Sequence, residues 1–340
     1  MNNGSSQSYS GLLSRVLPIL RCPVCGSCLK GNDQGVACDG CGRVFPEIGN
    51  VIRFVEPSNY ANSFGFQWTR FAKTQLDRGE SGESERDFRE RTGLTPEDLA
   101  GKLVLDVGCG MGRFADIATR WGAFVVGVDL SRAAEVAAQN LKDREAVFFQ
   151  ADVFALPFAA ESFDYIYSIG VLHHTPDCER AFKVLPALLK PGGTIAIWLY
   201  SGYNRWYRMS DVYRRATSRM SPRFLLGLCQ VARPLYHIHN VLRRIPLVGR
   251  PASGMLRLLL PTNLHRDPTC RVLDTFDWYS PRYQSKHTYE EVFRWFEACG
   301  LGSLHVLKQA ISVRGMRSNQ ENQRFSVSLD SEDVSHSGSR

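Results

Sequence analysis

The chain of 340 residues is long enough for one large core with a small extra module, and 44% hydrophobic with 22% charged residues is typical of globular proteins. Its net charge of +7 is too small to indicate nucleic-acid binding by itself. No uncharged apolar run reaches membrane-spanning length, and the N-terminus lacks a signal-peptide pattern. We therefore expect a cytoplasmic protein whose ten cysteines are thiols and metal ligands, not disulfides.

Three segments lack the regular alternation of apolar runs found elsewhere. Residues 1–18 begin with a polar, Ser- and Asn-rich stretch, and residues 318–340 are rich in Ser, Asn and Gln, so we predict mobile tails at both ends. A Gly-, Glu- and Arg-rich stretch lies within residues 57–100, which we predict to be a connecting helical segment.

Four cysteines near the N-terminus have the spacing of a zinc site. Two pairs, each separated by two residues, lie twelve residues apart: Cys22, Cys25, Cys38 and Cys41. Four thiolates can surround one zinc ion tetrahedrally in a closed structural site, so we predict a zinc ribbon over residues 19–56. Cys28 forms an overlapping pair with Cys25, but it lies where ribbons usually carry no ligand, and we leave it out.

From residue 101 onward, short apolar runs alternate with stretches of helical periodicity. Five runs are typical of strands: KLVLDVG, FVVGVDL, AVFFQAD, FDYIYSIGV and GTIAIWLY. Three stretches between them predict helices: GRFADIATRW, RAAEVAAQNLKD and DCERAFKVLPALLK. The alternation indicates an open, doubly wound α/β fold with a parallel sheet. A helix over residues 288–300 and two strand-like runs, SLHVLKQ and AISVRG, complete a predicted domain at 101–317.

A basic segment at residues 201–285 interrupts this pattern. Residues 200–272 contain thirteen arginines and two acidic residues, so this stretch carries +11 (13 − 2) and the rest of the chain −4 (7 − 11). We predict a helical lid inserted after the fifth strand. Its mixture of Arg with Leu, Ile and Val over 205–260 has three interpretations: peripheral contact with a membrane or a lipid-linked anion, contact with RNA phosphates, or a solvated basic face.

The segment DVGCGMG places an acid and three glycines at alternate positions of a strand-to-helix turn: Asp106, Gly108, Gly110 and Gly112. Glycines let a ligand approach the main chain because no Cβ intervenes. In the dinucleotide fingerprint the third glycine comes one residue later. Here the acid two positions before the first glycine favours a cationic or hydroxyl-bearing ligand over a diphosphate.

Two further acids end the next two predicted strands. Asp129 can accept both hydroxyls of a ribose, and Asp152 can accept an exocyclic amino group while Val153 offers its backbone N–H. Each acid alone is equally compatible with a helix cap or a solvated loop. Because the carboxyl ends of parallel strands meet at one edge of a sheet, three acids in register predict a binding site there.

Residues 101 to 200 resemble the Rossmann-like class I S-adenosylmethionine-dependent methyltransferases. The matching motifs occur in the same order and spacing: VLDVGCGMGRFA, VVGVDLS, QADVFALPFAAESFDYIYSIGVLHHTPD and LKPGGTIAIWLY. The resemblance implies a seven-stranded sheet and S-adenosyl-L-methionine as cofactor. It implies that Asp129 holds the ribose and that Asp152 with Val153 reads the adenine. Other cofactor-binding residues would be Asp106, Gly108, Cys109, Gly110, Gly112, Leu130 and Gly170.

The cysteine module is similar to the short zinc ribbons of the Trm112-like family, which occur beside or fused to methyltransferases. Three roles for the ribbon remain open at this point: packing on the catalytic domain, binding a partner and contacting RNA.

Two adjacent histidines, His173 and His174, follow the fourth strand in the motif VLHHTP. A hydroxyl acceptor needs a general base, whereas a carboxylate acceptor does not, and imidazole titrates near neutrality. Both histidines are therefore candidate catalytic residues, although capping or packing of the loop explains them as well. The motifs that favour amide or exocyclic-amine methylation and covalent attack on pyrimidines are missing after this strand.

These observations predict a methyltransferase that acts on oxygen of a small-molecule or lipid-linked acceptor such as a glycan or isoprenoid intermediate. We expect a cytoplasmic enzyme with a peripheral location at the inner membrane face, and no DNA partner. One alternative is an rRNA or tRNA methyltransferase whose ribbon reads RNA, although the ribbon offers few basic residues. A second is a non-catalytic partner subunit that binds S-adenosylmethionine.

Overall fold

The computed structural model describes residues 9–56, 59–77, 82–203 and 207–319. The predicted C-terminal tail from residue 320 and residues 1–8 of the predicted N-terminal tail lie outside this part of the chain. Residues 9–18 are not a tail, because helix α1 (Tyr9–Val16) buries Leu12, Leu13 and Val16. The i, i+4 spacing of Leu12 and Val16 creates an apolar face that the polar residues before it obscured.

The cysteine module contains a small antiparallel sheet. Its strands, in the order β1-β2-β3, are β1 (Leu29–Asn32), β2 (Gly35–Cys38) and β3 (Val44–Pro46). Apolar side chains of these strands, including Leu29, Val36 and Phe45, belong to the same core cluster as Phe149 and Phe163 of the large sheet. The ribbon therefore packs directly on the α/β domain and shares its core.

A mixed sheet of eight strands forms the centre of the α/β domain, in the order β10-β11-β9-β8-β5-β6-β7-β4. Its strands are β4 (Val51–Arg53), β5 (Leu103–Val107), β6 (Phe124–Asp129), β7 (Ala146–Gln150), β8 (Phe163–Ile169), β9 (Leu189–Trp198), β10 (Leu301–Val306) and β11 (Ser312–Arg317). Strands β4 to β9 pair in parallel, and β11 is antiparallel to both of its neighbours. The predicted α/β architecture is confirmed.

The sheet has one strand more than the seven predicted. Strand β4, at the end of the cysteine module, pairs in parallel with β7, with Val51 opposite Phe148 and Arg53 opposite Gln150. Val51 and Ile52 are completely buried, and the guanidinium of Arg53 pairs with Glu135 of helix α6 (Ala133–Asn140). Three residues are too few for a periodic signal, so the sequence analysis placed them in the ribbon and predicted no sheet strand there.

Helices cover both faces of the sheet. Outside the insertion they are α2 (Asn62–Arg70), α3 (Glu83–Thr92), α4 (Pro96–Leu99), α5 (Arg113–Arg120), α6, α7 (Cys178–Lys183) and α13 (Tyr289–Ala298). The helix predicted from DCERAFKVLPALLK ends early at Lys183, because Pro186 begins a 3₁₀ turn and strand β9 follows at Leu189. The last two strands are β10 at 301–306 and β11 at 312–317, each about two residues from its predicted position.

The basic insertion after the fifth strand of the predicted domain is helical, as expected. It contains α8 (Tyr207–Thr217), α9 (Pro222–Cys229), α10 (Ala232–Leu242), α11 (Gly249–Leu259) and α12 (Pro268–Tyr279). Helix α12 contacts α8, α9 and α10, and Leu225, Cys229, Leu273 and Phe276 form a separate apolar core among them. In the part of the chain that the structure describes, no helix is long and apolar enough to cross a membrane.

Candidate active site

The glycine-rich loop after β5 lies at the carboxyl edge of the sheet, where three glycines have positive φ. Gly108 has φ +80°, and a Cβ there would overlap the side chain of Val171. Gly110 lies under the indole of Trp68, whose Nε1 would be 3.2 Å from a Cβ. Gly112 is different, because a Cβ there would overlap Leu141 behind the loop. Gly112 therefore allows α5 and α6 to pack closely.

A cleft of about 880 Å³ opens above this loop. Eight of the twelve predicted catalytic and cofactor-binding residues line it: Gly108, Cys109, Gly110, Asp129, Leu130, Val153, Gly170 and His174. Four others do not line the cleft: Asp106, Gly112, Asp152 and His173. The predicted residues thus separate into a group that faces the cleft and a group that supports its walls.

Asp129 connects the glycine loop to the next turn. Its Oδ2 accepts a hydrogen bond from the backbone N of Gly110 at 3.0 Å, and its Oδ1 accepts from the backbone N and the hydroxyl of Ser131 at 2.8 and 2.7 Å. Burial raises the pKa of Asp129. A carboxylate has about four acceptor positions, so three bonds leave about one for a ligand.

Asp106 and Asp152 both accept hydrogen bonds within the protein, and neither lines the cleft. That either carboxyl contacts the cofactor stays a prediction. The carboxyl of Asp106 is buried beneath the loop and accepts a hydrogen bond from the Tyr167 hydroxyl at 3.0 Å; burial raises its pKa to about 8. The carboxyl of Asp152 accepts from the backbone N of Phe154 at 3.0 Å and caps a 3₁₀ turn. That turn presents Val153 to the cleft.

The two adjacent histidines have opposite environments. His173 is completely buried, its ring stacks on Tyr200 with centroids 4.0 Å apart, and neither ring nitrogen has a partner among the described residues. Burial holds its pKa well below the usual value, so His173 is neutral. His173 does not line the cleft, and its role as a catalytic base stays a prediction.

His174 lines the cleft, packs on Phe64 and has a pKa lowered by burial. Its Nδ1 lies 3.0 Å from the carbonyl oxygen of Tyr283. A carbonyl only accepts hydrogen bonds, so Nδ1 carries the proton and Nε2 keeps a lone pair. The backbone N of Ser285 also donates to the carbonyl of His173 at 2.8 Å, so the segment after α12 fixes the orientation of this loop.

The sequence analysis did not identify the acids and arginines on the opposite wall of the cleft. This wall comes from α2, α3 and α12 and includes Gln67, Trp68, Asp87, Arg91, Asp274, Asp277 and Trp278. Asp277 accepts from the Tyr200 hydroxyl at 2.9 Å and from Gln67 at 3.3 Å. Burial and the nearby Asp277 raise the pKa of Asp274 to about 7. The sequence signal for this wall was the motif DTFDW, because its acids Asp274 and Asp277 are three residues apart and share one helix face.

Two arginines line the cleft, and both pair with one acid. Arg91 stacks on the Trp198 ring at 4.0 Å, and its guanidinium lies 3.2 Å from the Asp87 carboxylate. Arg113 also pairs with Asp87, at 3.0 Å. None of the insertion's arginines whose side chains the structure describes lines the cleft. The basic character of the insertion therefore lies on its other surfaces.

Comparisons with known proteins identify the family. A model described as a methyltransferase domain matches residues 105–197. Methyltransferase GfsG of Streptomyces halstedii is 33% identical over 210 residues, which cover 57% of this chain and 70% of that protein. The ubiquinone biosynthesis O-methyltransferase of Coxiella burnetii is 31% identical over 195 residues, with 56% and 79% covered. The sterol 24-C-methyltransferase of Schizosaccharomyces pombe is 32% identical over 160 residues, with 45% and 39% covered.

The chain belongs to the S-adenosylmethionine-dependent methyltransferases. Its relatives include an O-methyltransferase and a C-methyltransferase, so the relationship alone leaves the acceptor atom open. The residues of this methyltransferase fit the family's cofactor. The glycine loop leaves open backbone at the sheet edge, where a Cβ at Gly108 would displace Val171, and Asp129 places a carboxylate beside it.

The ribbon of the methyltransferase carries the predicted metal-binding cluster. The Sγ atoms of Cys22, Cys25, Cys38 and Cys41 all lie within 4.8 Å of one another. Backbone N–H groups of Gly40 and Cys41 point at the Cys38 sulfur from 3.3 and 3.4 Å, as expected around a thiolate ligand. Four thiols in this arrangement fit a closed zinc site. Cys28 is exposed and outside the cluster, as predicted.

Proposed function

We propose that this methyltransferase transfers a methyl group from S-adenosylmethionine to a hydroxyl oxygen of a small-molecule or lipid-linked acceptor in the cytosol. The observation that carries the proposal is the state of His174. It is a neutral imidazole with Nδ1 held by the Tyr283 carbonyl and Nε2 left as an acceptor, on the wall of the cleft. The name of the Coxiella burnetii relative also supports oxygen as the acceptor atom.

The cofactor is assigned to the loop side of the cleft. Gly108, Cys109 and Gly110 would line its methionine end, and the loop of Gly170 would border the reacting centre. Asp129 has about one free acceptor position, so it would hold one ribose hydroxyl directly. Leu130 and Val153 would flank the adenine, while Asp152 fixes the turn of Val153.

His174 is assigned as the general base. When bound, the cofactor supplies a methyl group on a positively charged sulfur, which needs no further activation. An alcohol becomes a much better nucleophile when its proton leaves, and Nε2 of His174 would accept that proton as the new O–C bond forms. The surrounding walls hold the acceptor in line and exclude water. The Tyr283 carbonyl keeps the ring oriented and favours the imidazolium that results.

The far wall of the cleft supports an acceptor with several hydroxyl groups. Six acids line this region against two arginines: Asp77, Glu83, Asp87, Asp267, Asp274 and Asp277 against Arg91 and Arg113. Carboxylates and amides accept hydrogen bonds from hydroxyls, and the aromatic faces of Trp68 and Trp278 offer apolar contact to a ring. An excess of acids disfavours an anionic group at this end of the acceptor.

An RNA acceptor has less support. The alternative needs basic residues on the ribbon surface to contact phosphates. Three of the four basic residues of the ribbon already contact other groups of the protein. Lys30 pairs with Asp39 at 3.0 Å, Arg21 donates to two backbone carbonyls, and Arg53 is buried against Glu135. Only the side chain of Arg43 has no partner within the described residues.

The test is transfer of label from methyl-labelled S-adenosylmethionine into a source-cell extract separated into RNA, protein, lipid and small-molecule fractions. We expect labelled O-methyl groups in lipid or small molecules, and mass spectrometry after mild base separates ethers from esters. Label in RNA, or on nitrogen or carbon, would contradict the proposal. Cofactor binding without label in any fraction would favour a non-catalytic subunit.

A further inference from the structure

The outer surface of the insertion is strongly apolar. Among the described residues, nineteen large hydrophobic side chains are exposed, and fourteen of them lie between residues 203 and 260. The five exceptions are Val24, Val44, Ile48, Val306 and Met316. Exposed apolar side chains are normal when scattered, but a concentration within one segment marks an interaction surface.

Helices α9 to α11 each bury one face and expose an apolar one. In α9, Leu225 and Cys229 are buried, whereas Phe224 and Leu228 are exposed. The loop between α10 and α11 contains Leu247, which is 98% exposed, and Val248, which is also exposed. We call the exposed side chains of residues 223–260 the outer face. Moving exposed aliphatic side chains from water into an apolar phase lowers the free energy, so their burial against such a phase is favourable.

The outer face is also uniformly basic. Residues 212–266 contain ten arginines and no Asp or Glu. Within residues 223–260, five arginines are exposed and form no ion pair with any described residue: Arg223, Arg233, Arg243, Arg244 and Arg250. A second copy of this chain would bring like charges together on such a face. RNA would match the arginines but would leave the aliphatic side chains without a partner.

We propose that the outer face binds the surface of an anionic lipid bilayer. Its aliphatic side chains enter the boundary between headgroups and acyl chains, and its arginines contact lipid phosphates. Helix α12 connects this face to the active site: Leu273 and Phe276 pack on the outer helices, while Asp274 and Asp277 line the cleft. This inference rests on the proposed function, because it places the acceptor cleft next to lipid-linked molecules.

The experiment is sedimentation of the full-length protein with vesicles of phosphatidylcholine alone or with 30% phosphatidylglycerol, at about 50 and 500 mM salt. We expect binding to anionic vesicles that weakens at high salt. Changing Arg243→Gln and Arg244→Gln together should lower the partition coefficient about 25-fold, since each basic residue contributes about fivefold. The pair Leu247→Asp and Val248→Asp should lower it at least tenfold, with unchanged thermal stability because both side chains are exposed.

Matched controls are Val306→Asp, at another exposed aliphatic residue, and the pair Lys102→Gln and Lys142→Gln, at exposed lysines on other surfaces. These variants should bind vesicles as the wild type does. Equal losses in controls and outer-face variants, or no vesicle binding, would overturn the inference. A dimer in light scattering that the Leu247 and Val248 changes dissociate, without vesicle binding, would also overturn it. The assay contains neither cofactor nor acceptor, so methyl transfer to a soluble acceptor can fail or succeed independently.

Discussion

The two sides of the cleft are built from the sequence in different ways. The loop side comes from the ends of successive strands, β5 to β8, within residues 108–171. The opposite side combines α2, α3 and α12, which are more than 200 residues apart at their extremes. The loop side belongs to a continuous α/β framework, whereas the opposite side depends on tertiary packing of an insertion against a connecting segment.

This difference indicates where specificity originates. The loop side carries the motifs that match the methyltransferase family, and the matched residues end at 197, before the insertion. The insertion then contributes Asp274, Asp277 and Trp278 to the cleft. Variants on the loop side should therefore change cofactor binding or methyl transfer, and variants on the opposite side should change the response to the acceptor and to pH.

The largest effect is expected at the boundary between the two sides. His174→Gln should lower kcat about 10²- to 10⁴-fold, because the proton acceptor is lost, while the Kd for S-adenosylmethionine stays within threefold. The wild-type rate should fall only at a pH below the usual histidine range, since burial lowers the pKa of His174, and the variant should lack this dependence. His305→Gln, at an exposed histidine, is the control. Equal kcat in the variant and the wild type would remove His174 as the base.

The next effect separates the two strand-end acids. Asp129→Ala should raise the Kd for S-adenosylmethionine about 10- to 100-fold, because it removes a charged acceptor in the cleft. Asp152→Ala should raise it much less, since that carboxyl caps a turn outside the cleft lining. Calorimetric titration measures both. Equal losses would mean that Asp152 contacts the cofactor after all.

A third effect tests the shape of the loop. Gly108→Ala should raise the Kd for S-adenosylmethionine at least tenfold, since its Cβ would push Val171 into the cleft. Gly122→Ala is the matched control, because Gly122 has a similar φ of +86° but lies away from the cleft. Both variants should lose about 1–2 kcal/mol of stability from the left-handed backbone. If Gly122→Ala weakened binding equally, global stability and not loop shape would explain the loss.

The sequence predicted the α/β framework and the cysteine cluster because both depend on local patterns. Strand alternation and Cys spacing do not require knowledge of distant contacts. Side-chain direction does: His173 and His174 are adjacent, yet one is completely buried on Tyr200 and the other lines the cleft. For the same reason the glycine motif located the loop but did not reveal that Asp106 binds Tyr167.

Long-range packing explains the other differences. Strand β4 joins the sheet only because β7 offers an open edge more than 90 residues later in the chain. The acids of α12 become part of the cleft wall only when the insertion folds back on α2, where Gln67 contacts Asp277. The composition suggested that arginines of the insertion contact its ligands. Instead, acids of the insertion and Trp278 line the cleft, and its exposed arginines lie on other surfaces.

The smallest effect concerns the pH dependence of stability at two acids of α12. The folded-state pKa of Asp274 is about 7, above the ordinary aspartate value of 3.8, because burial disfavours the charged form. Stability is therefore lost as pH rises from about 4 to about 7. Asp274→Asn removes this dependence, so the variant should match the wild type near pH 4 and melt about 2 °C or more higher at pH 8.

Asp267 provides a control of opposite sign on the same helix. Its carboxylate caps α12 by accepting from the backbone N of Cys270 and Thr269, which lowers its pKa. The stabilisation is present above the unfolded pKa and is lost as pH falls through the lower folded value. Asp267→Asn should therefore melt below the wild type at pH 7, with the difference shrinking under acid. Melting curves at pH 4 to 8 measure both variants, and a parallel response of the two would contradict the burial of Asp274 in the cleft wall.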